Sequence, residues 1–192
     1  RQNNAGASAA TNYGVREAGD GLIILFDDDI LPSTNCISQH VAFHDSHPNS
    51  ILSGSADSDP ARAITDVQKY KLFMEESWIQ VRSDTIELLK VEFRNFIITT
   101  ANMSLPREIF IALGGFNTKL RDGYDVDFGF RALKAGHNLY FDRSIKTIHN
   151  DQISLRYYAA RQRAYTESKK IIFSTFPELQ SQFDQEISLA PS

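Results

Sequence analysis

Short apolar runs alternate with segments of helical spacing along this chain, which predicts strands and helices in alternation. Residues 22–26 read Leu-Ile-Ile-Leu-Phe and residues 96–100 read Phe-Ile-Ile-Thr-Thr, each with the length of one buried strand. Shorter strands are predicted at residues 51–54, 139–141 and 146–148. The pattern therefore predicts an α/β domain in which helices flank a sheet.

Helical spacing and the usual start and stop residues mark the segments between these strands. Small residues lead into a helix that ends near Ala18, and Ser33 or Thr34 is expected to cap a helix that runs to about His44. Residues 55–66 are polar and predict a loop. Further helices are predicted at residues 67–78, 84–91, 105–113, 124–134, 154–174 and 176–187.

Three consecutive carboxylates, Asp27, Asp28 and Asp29, follow the first predicted strand directly. Ligands of open α/β sheets bind just outside the carboxyl ends of strands. Three acids repel one another there unless a cation lies among them, and carboxylate oxygens suit magnesium, manganese or calcium. Taken alone, the run is equally compatible with an acidic surface turn.

Two other segments place polar groups at element ends. Asp125 and Asp127 lie in the first turn of a predicted helix, where negative charge is favourable without any ligand. His149 follows a predicted strand, and a lone histidine is more often structural than a ligand. Together with the acid run, these residues describe a metal site of carboxylates and one imidazole, with a further carboxylate nearby.

Composition narrows the class of protein. The chain has 192 residues, 42% hydrophobic and 23% charged, which predicts one folded domain with a sizeable core. A net charge of -4 and the lack of a basic run argue against nucleic acid as a partner. Cys36 is the single cysteine, which fits a reducing cytoplasm. No apolar stretch approaches the ~18 residues of a membrane span.

The order of segments resembles family 2 glycosyltransferases of the GT-A fold, which transfer a sugar from a nucleotide diphosphate donor. Residues 26–29 resemble the acidic (DxD) motif of that family, and residues 123–131 resemble the segment that holds its catalytic base. The resemblance also covers residues 4–14, 18–20, 102–107, 113–116, 148–149 and 156–170. It implies a GT-A-like mixed sheet flanked by helices, with residues 1–153 in the catalytic domain and residues 154–192 as its helical extension.

Residue roles follow from the resemblance. Asp29 is expected to bind a divalent metal, Mn2+ or Mg2+, with Asp27 and His149 as further ligands, and Asp27 is also a candidate ribose contact. Asp125 is expected to be the general base of an inverting displacement. The remaining expected substrate contacts are Asp28, Asn102, Gly115 and Asp127. Asp127 can also pair with Arg131 at i,i+4, which would be a structural role.

The sequence departs from the family pattern at three points. Tyr124 stands where an acid is common, and the Gln-x-x-Arg-Trp motif of processive members is absent, which favours single addition. Family members also have βα units before the acidic motif, so roughly 60–100 residues are expected to be missing at the N-terminus. A truncated chain would expose a sheet edge, self-associate and bind donor weakly.

Alternatives remain open at this stage. A non-catalytic sugar-binding or scaffold module would keep the fold without the chemistry, and a metal-dependent phosphohydrolase would use the acid cluster differently. The acceptor can be a polysaccharide, a lipid-linked glycan or a protein. Basic residues at 156–170 predict either a solvated helix face or peripheral docking on an anionic membrane.

Overall fold

The computed structural model describes residues 3–83, 87–150 and 153–180, and this part of the chain forms a six-stranded mixed sheet flanked by helices. The predicted α/β class is confirmed. The helices are α1 (Ala7–Glu17), α2 (Cys36–Ser46), α3 (Asp66–Ser83), α4 (Arg107–Ala112), α5 (Tyr124–Lys134) and α6 (Leu155–Thr175). The strands are β1 (Leu22–Phe26), β2 (Ile30–Pro32), β3 (Ser50–Ser58), β4 (Leu88–Val91), β5 (Asn102–Pro106) and β6 (Asn138–His149). Short 3-10 turns occupy Pro60–Arg62 and Phe93–Asn95, and residues 177–180 are helical.

The strands follow the order β1-β5-β3-β6-β2, with β4 also paired to β6. Strands β3 and β6 are parallel, and the other pairs are antiparallel. Because β3 pairs along the whole of β6, β4 and β2 share its other edge, with β4 near the start of β6 and β2 at its end. Among the described strands, β1 pairs with β5 alone and so forms one edge of the sheet.

A bulge interrupts β6, which the sequence pattern predicted as two separate strands at 139–141 and 146–148. The register changes between Gly54, which pairs with Asp142, and Ser55, which pairs with Lys146. Residues 143–145 are therefore extra on β6, and the strand continues beyond them to His149. The prediction of two strands was wrong because pairing with β3 persists on both sides of the bulge.

Asn102 of β5, the strand on the far side of β3, donates hydrogen bonds across β3 to this bulge. Its Nδ2 donates to the carbonyls of Ser55 and Ile145, both at 3.0 Å. A Cβ at Gly54 would lie 2.3 Å from Asn102 Nδ2 and 2.5 Å from the Ile145 oxygen. Only glycine therefore leaves room for the amide that satisfies the bulged backbone.

A chain of buried hydrogen bonds joins α2 to the same asparagine. His40 Nε2–H donates to Asn102 Oδ1 at 2.7 Å, because the amide oxygen can only accept. His40 Nδ1 then accepts from the Ser104 hydroxyl at 2.7 Å, and that oxygen accepts from His44 Nε2–H at 2.8 Å. Burial lowers the pKa of both histidines and so favours their neutral forms, which this series of hydrogen bonds requires.

Helix α1 is fixed to the turn that follows α4. Asn12 donates to the Phe116 carbonyl and accepts from the Phe116 N–H, both at 2.8 Å. Arg107 donates to the carbonyls of Val15 and Arg16 at the end of the helix, where backbone acceptors lack helical partners. These contacts hold the small-residue helix in place with few apolar side chains.

Several predicted elements require correction. Residues 88–91 form strand β4 and not a helix, because Leu89 and Val91 alternate with exposed neighbours along the edge of β6; residues 84–86 lie outside the described part. Residues 96–100 are not a strand; Phe96 and Ile98 instead pack against Gly129 of α5. Within the predicted loop, β3 extends to Ser58 and a 3-10 turn follows.

The ends of two predicted helices also differ. Helix α2 begins at Cys36, with Asn35 as its N-cap residue, and neither Ser33 nor Thr34 caps it. Strand β5 runs to Pro106, so α4 begins only at Arg107. Of the final predicted helix, residues 177–180 are helical and residues 181–187 lie outside the described part.

Helix α6 is anchored by an apolar cluster that it shares with α5. Ile172, Phe176 and Leu179 pack with Leu120 and Phe130, and all five are buried. Its N-terminal turn is more open, with Leu155 and Tyr157 exposed. No described helix is both long and apolar enough to cross a membrane.

Replacing Asn102 by alanine is expected to destabilise the fold strongly. The change removes the Asn102 partner of His40 Nε2–H and of the Ile145 carbonyl, while the Ser55 carbonyl keeps the Thr147 hydroxyl, and each orphaned buried group costs about 1–3 kcal/mol. We expect a loss of roughly 3 kcal/mol or more in the free energy of unfolding, measured by urea denaturation. The matched control is Asn138→Ala, since Asn138 is exposed at the start of β6. Equal stability of the two variants would contradict this role.

Candidate active site

The acid run forms the turn between β1 and β2. Strand β1 ends at Phe26, and the Ile30 N–H donates back to the Asp27 carbonyl at 3.3 Å. This turn presents Asp27 as a half-buried side chain and leaves Asp28 exposed. The three acids are therefore not equivalent, although they are adjacent in sequence.

Pairing of β2 with the end of β6 brings His149 to this turn. Ile30 lies opposite His149, and the Asn150 N–H donates to the Asp29 carbonyl at 2.8 Å. His149 Nε2 then lies 3.1 Å from Asp29 Oδ1. One ligand atom from each of Asp27, Asp29 and His149 falls within 4.8 Å of the others. We call these three residues the acid–histidine cluster.

The chemistry of the acid–histidine cluster fits a divalent cation. Burial raises the pKa of Asp27, His149 lowers it, and the nearby charges of Asp29 and Asp28 raise it further. A group of carboxylates with one imidazole and no lysine or arginine among the ligand atoms suits Mn2+ or Mg2+. The fold thus brings Asp27, Asp29 and His149 together as the sequence predicted, and Asp28 is not part of this group.

Asp125 lies in the first turn of α5, after Gly123, which adopts φ +68° as the N-cap residue. Its Oδ1 accepts from the Val126 N–H at 2.8 Å. Burial raises the pKa of Asp125 to about 6, while the backbone hydrogen bond acts in the opposite direction. A carboxylate of this kind is ionised at neutral pH and remains a better base than an exposed aspartate.

Tyr124 and Arg161 connect Asp125 to the acid–histidine cluster. The charges of both Asp125 and Asp27 raise the pKa of Tyr124, which desolvation above all brings to about 12. Arg161 of α6 lowers the pKa of both carboxyl groups. The first turn of α5 and the acidic turn therefore adjoin the same two side chains.

Three predicted substrate contacts, Asn102, Gly115 and Asp127, are buried against other protein groups. Asn102 is fully buried in the bulge contact, and Gly115 is buried where a Cβ would lie 2.7 Å from Asn12 Oδ1. Asp127 is 4% exposed and pairs with Arg131 at 2.8 Å, which confirms the expected i,i+4 pair. All three residues thus contact other protein groups, and their assignment as substrate contacts stays a prediction.

The ion pair between Asp127 and Arg131 helps to hold α5 against the turn after α4. Its guanidinium also donates to the carbonyls of Leu113 and Gly115, so α5 is tied to the turn after α4. Asp127 thus orients the Arg131 guanidinium, which binds the backbone carbonyls of Leu113 and Gly115. Asp127 acts on the position of α5 through this arginine.

Sequence reasoning missed Asp122, Tyr165 and the particular importance of Arg161. Arg161 Nε donates to Asp122 Oδ2 at 3.2 Å, and its guanidinium lies 5.6 Å from the Tyr165 ring centre. The only sequence signal was the mixture of basic and aromatic residues on the C-terminal helix, which does not show which arginine faces inward.

A small cleft adjoins His149 on the side of β3 and α3. Residues that line it include Ser58, Arg62, Gln68, Lys71 and Ile153. Arg62 donates to Asn150, the residue next to His149, and also pairs with Asp59. The acid–histidine cluster is thus bordered by polar groups on the side of this cleft.

The mixed sheet and its flanking helices form the GT-A fold of the similar solved structures. The model of glycosyl transferase family 2 matches residues 1–114. The chain belongs to this family. No curated protein sequence matches the chain.

Three similar solved structures share the fold at low sequence identity. TarS from S. aureus matches with a TM-score of 0.60 and 12% identity, over 90% of this chain and 28% of TarS. The mannosyltransferase PcManGT from Pyrobaculum calidifontis, in complex with GDP-Man and Mn2+, matches with a TM-score of 0.54 and 12% identity, over 100% of this chain and 57% of PcManGT. GalNAc-T7 with UDP, GalNAc and Mn2+ matches with a TM-score of 0.55 and 14% identity, over 94% of this chain and 39% of GalNAc-T7. The chain therefore spans less than two thirds of each of these proteins.

Mn2+ binding is expected to depend on Asp29 and not on Asp28. Asp29→Ala removes a carboxylate from the acid–histidine cluster, so we expect affinity to fall at least roughly 100-fold, more than loss of an outer-shell contact costs. Asp28→Ala is the matched control because it makes the same change in charge at an exposed position of the same turn. Calorimetry with and without UDP measures both. Equal weakening in the two variants would show that general negative charge, and not this cluster, attracts the ion.

Proposed function

We propose that this chain is the catalytic part of an inverting glycosyltransferase that moves a sugar from a nucleotide diphosphate donor to a hydroxyl acceptor. The observation that carries the proposal is the acid–histidine cluster together with Asp125, whose pKa burial raises to about 6 and whose neighbour Tyr124 also interacts with Asp27. Family membership sets the reaction class, and this pair of features supplies the groups the reaction requires.

Asp27, Asp29 and His149 would hold a divalent cation, Mn2+ or Mg2+. Two of the similar structures contain Mn2+ together with a nucleotide or nucleotide sugar. When bound, such a cation supplies Lewis-acid stabilisation of the negative charge that develops on a departing diphosphate. The three side chains fix where that charge can be stabilised, at the end of β1.

Asp125 would accept the proton of the attacking hydroxyl. At neutral pH its carboxylate is ionised, and its partial burial keeps it basic enough to assist the attack. Tyr124 keeps its phenolic proton at that pH and can donate a hydrogen bond to the donor or acceptor. One base and one displacement give inversion at the anomeric carbon.

The partners we propose are a nucleotide-diphosphate sugar and a glycan or lipid-linked acceptor in the cytoplasm. Exposed Leu155 and Tyr157, with Arg156 between them, support peripheral contact with a membrane surface. The free edge of β1 supports self-association through strand pairing.

Asp125→Asn is expected to lower sugar transfer by about 100-fold or more, because loss of a general base typically costs that much. The assay is metal-dependent release of nucleoside diphosphate from a panel of UDP- and GDP-sugars, with the anomeric configuration of the product determined by NMR. Asp45→Asn on the exposed face of α2 makes the same chemical change far from the site and should leave the rate unchanged. Full activity of Asp125→Asn would overturn the assignment of the base.

The pH dependence provides an independent test of the base. Asp125 acts only when deprotonated, so the rate should fall about ten-fold per pH unit below pH 6 and level off above it. Metal and donor binding without any turnover at any pH would favour a sugar-binding module instead. Phosphate release from simple esters, without sugar transfer, would favour a phosphohydrolase.

A further inference from the structure

We propose that the ion pair between Asp122 and Arg161 is a positioning device that orients Asp125 and sets its proton affinity from α6. This inference rests on the proposed role of Asp125 as the base and adds the residues that control it. It assigns to the C-terminal helix a contribution to catalysis that does not involve contact with substrate.

Asp122 is held on several sides. Arg161 Nε donates to its Oδ2 at 3.2 Å, with the two side chains 32% and 16% exposed. Its Oδ1 accepts from the Gly123 N–H at 3.0 Å, and its own N–H donates to Ser168 Oγ at 3.3 Å. Asp122 therefore links two residues of α6 to the glycine that begins α5.

The same helix packs against that glycine. Gly123 adopts φ +68°, and a Cβ placed there would lie 3.5 Å from Ile172 Cδ1 and 3.9 Å from Ser168 Cβ. Since Asp125 is two residues beyond Gly123, the direction in which α5 starts decides where its carboxylate points. Helix α6 thus sets that direction through one ion pair, one hydroxyl and one apolar contact.

Two charged side chains act on Asp125 in opposite directions. Asp122 raises its pKa and Arg161 lowers it, with burial as the larger cause of the net rise. The other titratable groups that interact with it are the phenols of Tyr124 and Tyr165, both neutral at working pH. Arg161 also contacts Tyr165, through the hydroxyl at 3.5 Å, and lowers the pKa of Asp27. Without Arg161, the acids near the base would lose the cation that offsets them.

The test is the titration of the Asp125 carboxyl carbon by 13C NMR in the metal-free protein, with Asp125→Asn used to assign the signal. Arg161→Gln should raise the pKa of Asp125 by roughly one pH unit, and Asp122→Asn should lower it by a similar amount. Arg163→Gln is the matched control, since Arg163 is exposed two residues along the same helix and the change in charge is identical. Arg161→Lys should restore most of the wild-type titration.

Opposite shifts in Arg161→Gln and Asp122→Asn, with none in Arg163→Gln, would support the proposal. An unchanged Asp125 titration in folded Arg161→Gln and Asp122→Asn would overturn it, and Asp122→Asn keeps the shape of the side chain if Arg161→Gln fails to fold. The titration does not require turnover, so it is independent of the proposed function. If the shifts occur but Asp125→Asn still transfers sugar, the control of ionisation stands and the role of Asp125 as base fails.

Discussion

The pairing of β2 with the end of β6 is the constraint on which the candidate site depends. Strand β2 has only three residues, yet it turns the chain back immediately after the acid run and sets Ile30 opposite His149. The Asn150 N–H to Asp29 carbonyl bond closes the arrangement from the other side. Backbone pairing, and not attraction between side chains, therefore brings two mutually repelling carboxylates and an imidazole together.

A buried polar network gives a second layer of support between α2 and the sheet, beside the apolar cluster of Cys36, Phe43, Leu52 and Ile145. Asn102 completes the β6 bulge and accepts from His40, whose partner Ser104 accepts from His44. The donors and acceptors follow in one consistent direction from His44 through Ser104 and His40 to Asn102, and the network ends at His44 Nδ1, which is buried without a partner among the described residues. The network joins α2 to the sheet without using any charge.

Local signals were sufficient to predict the α/β class, β1, α5 and α6, and the family resemblance singled out the three residues of the acid–histidine cluster. They failed where tertiary pairing decided the outcome. Residues 88–91 carry an apolar pattern compatible with helix or strand, and the edge of β6 made them a strand. The apolar run at 96–100 satisfied the composition of a strand but is used for packing on α5, where Gly129 leaves space for Phe96 and Ile98. Asn102 matched a motif position, yet only the folded chain reveals that its amide binds two backbone carbonyls, whereas the i,i+4 spacing was enough to predict the Asp127–Arg131 pair.

The three extra residues in β6 also decide the face on which His149 emerges. Side chains alternate between the two faces of a strand, so an odd insertion inverts the phase of everything beyond it. Before the bulge, Leu139 is aligned with Ile51; after it, His149 is aligned with Ser58, on the face of Leu52 rather than that of Ile51. In a regular strand residue 149 would share a face with Leu139, because an even number of positions separates the two. The odd number of unpaired residues therefore acts as a parity change, and the register that β6 resumes with β3 at Ser55 places His149 on the face opposite Leu139.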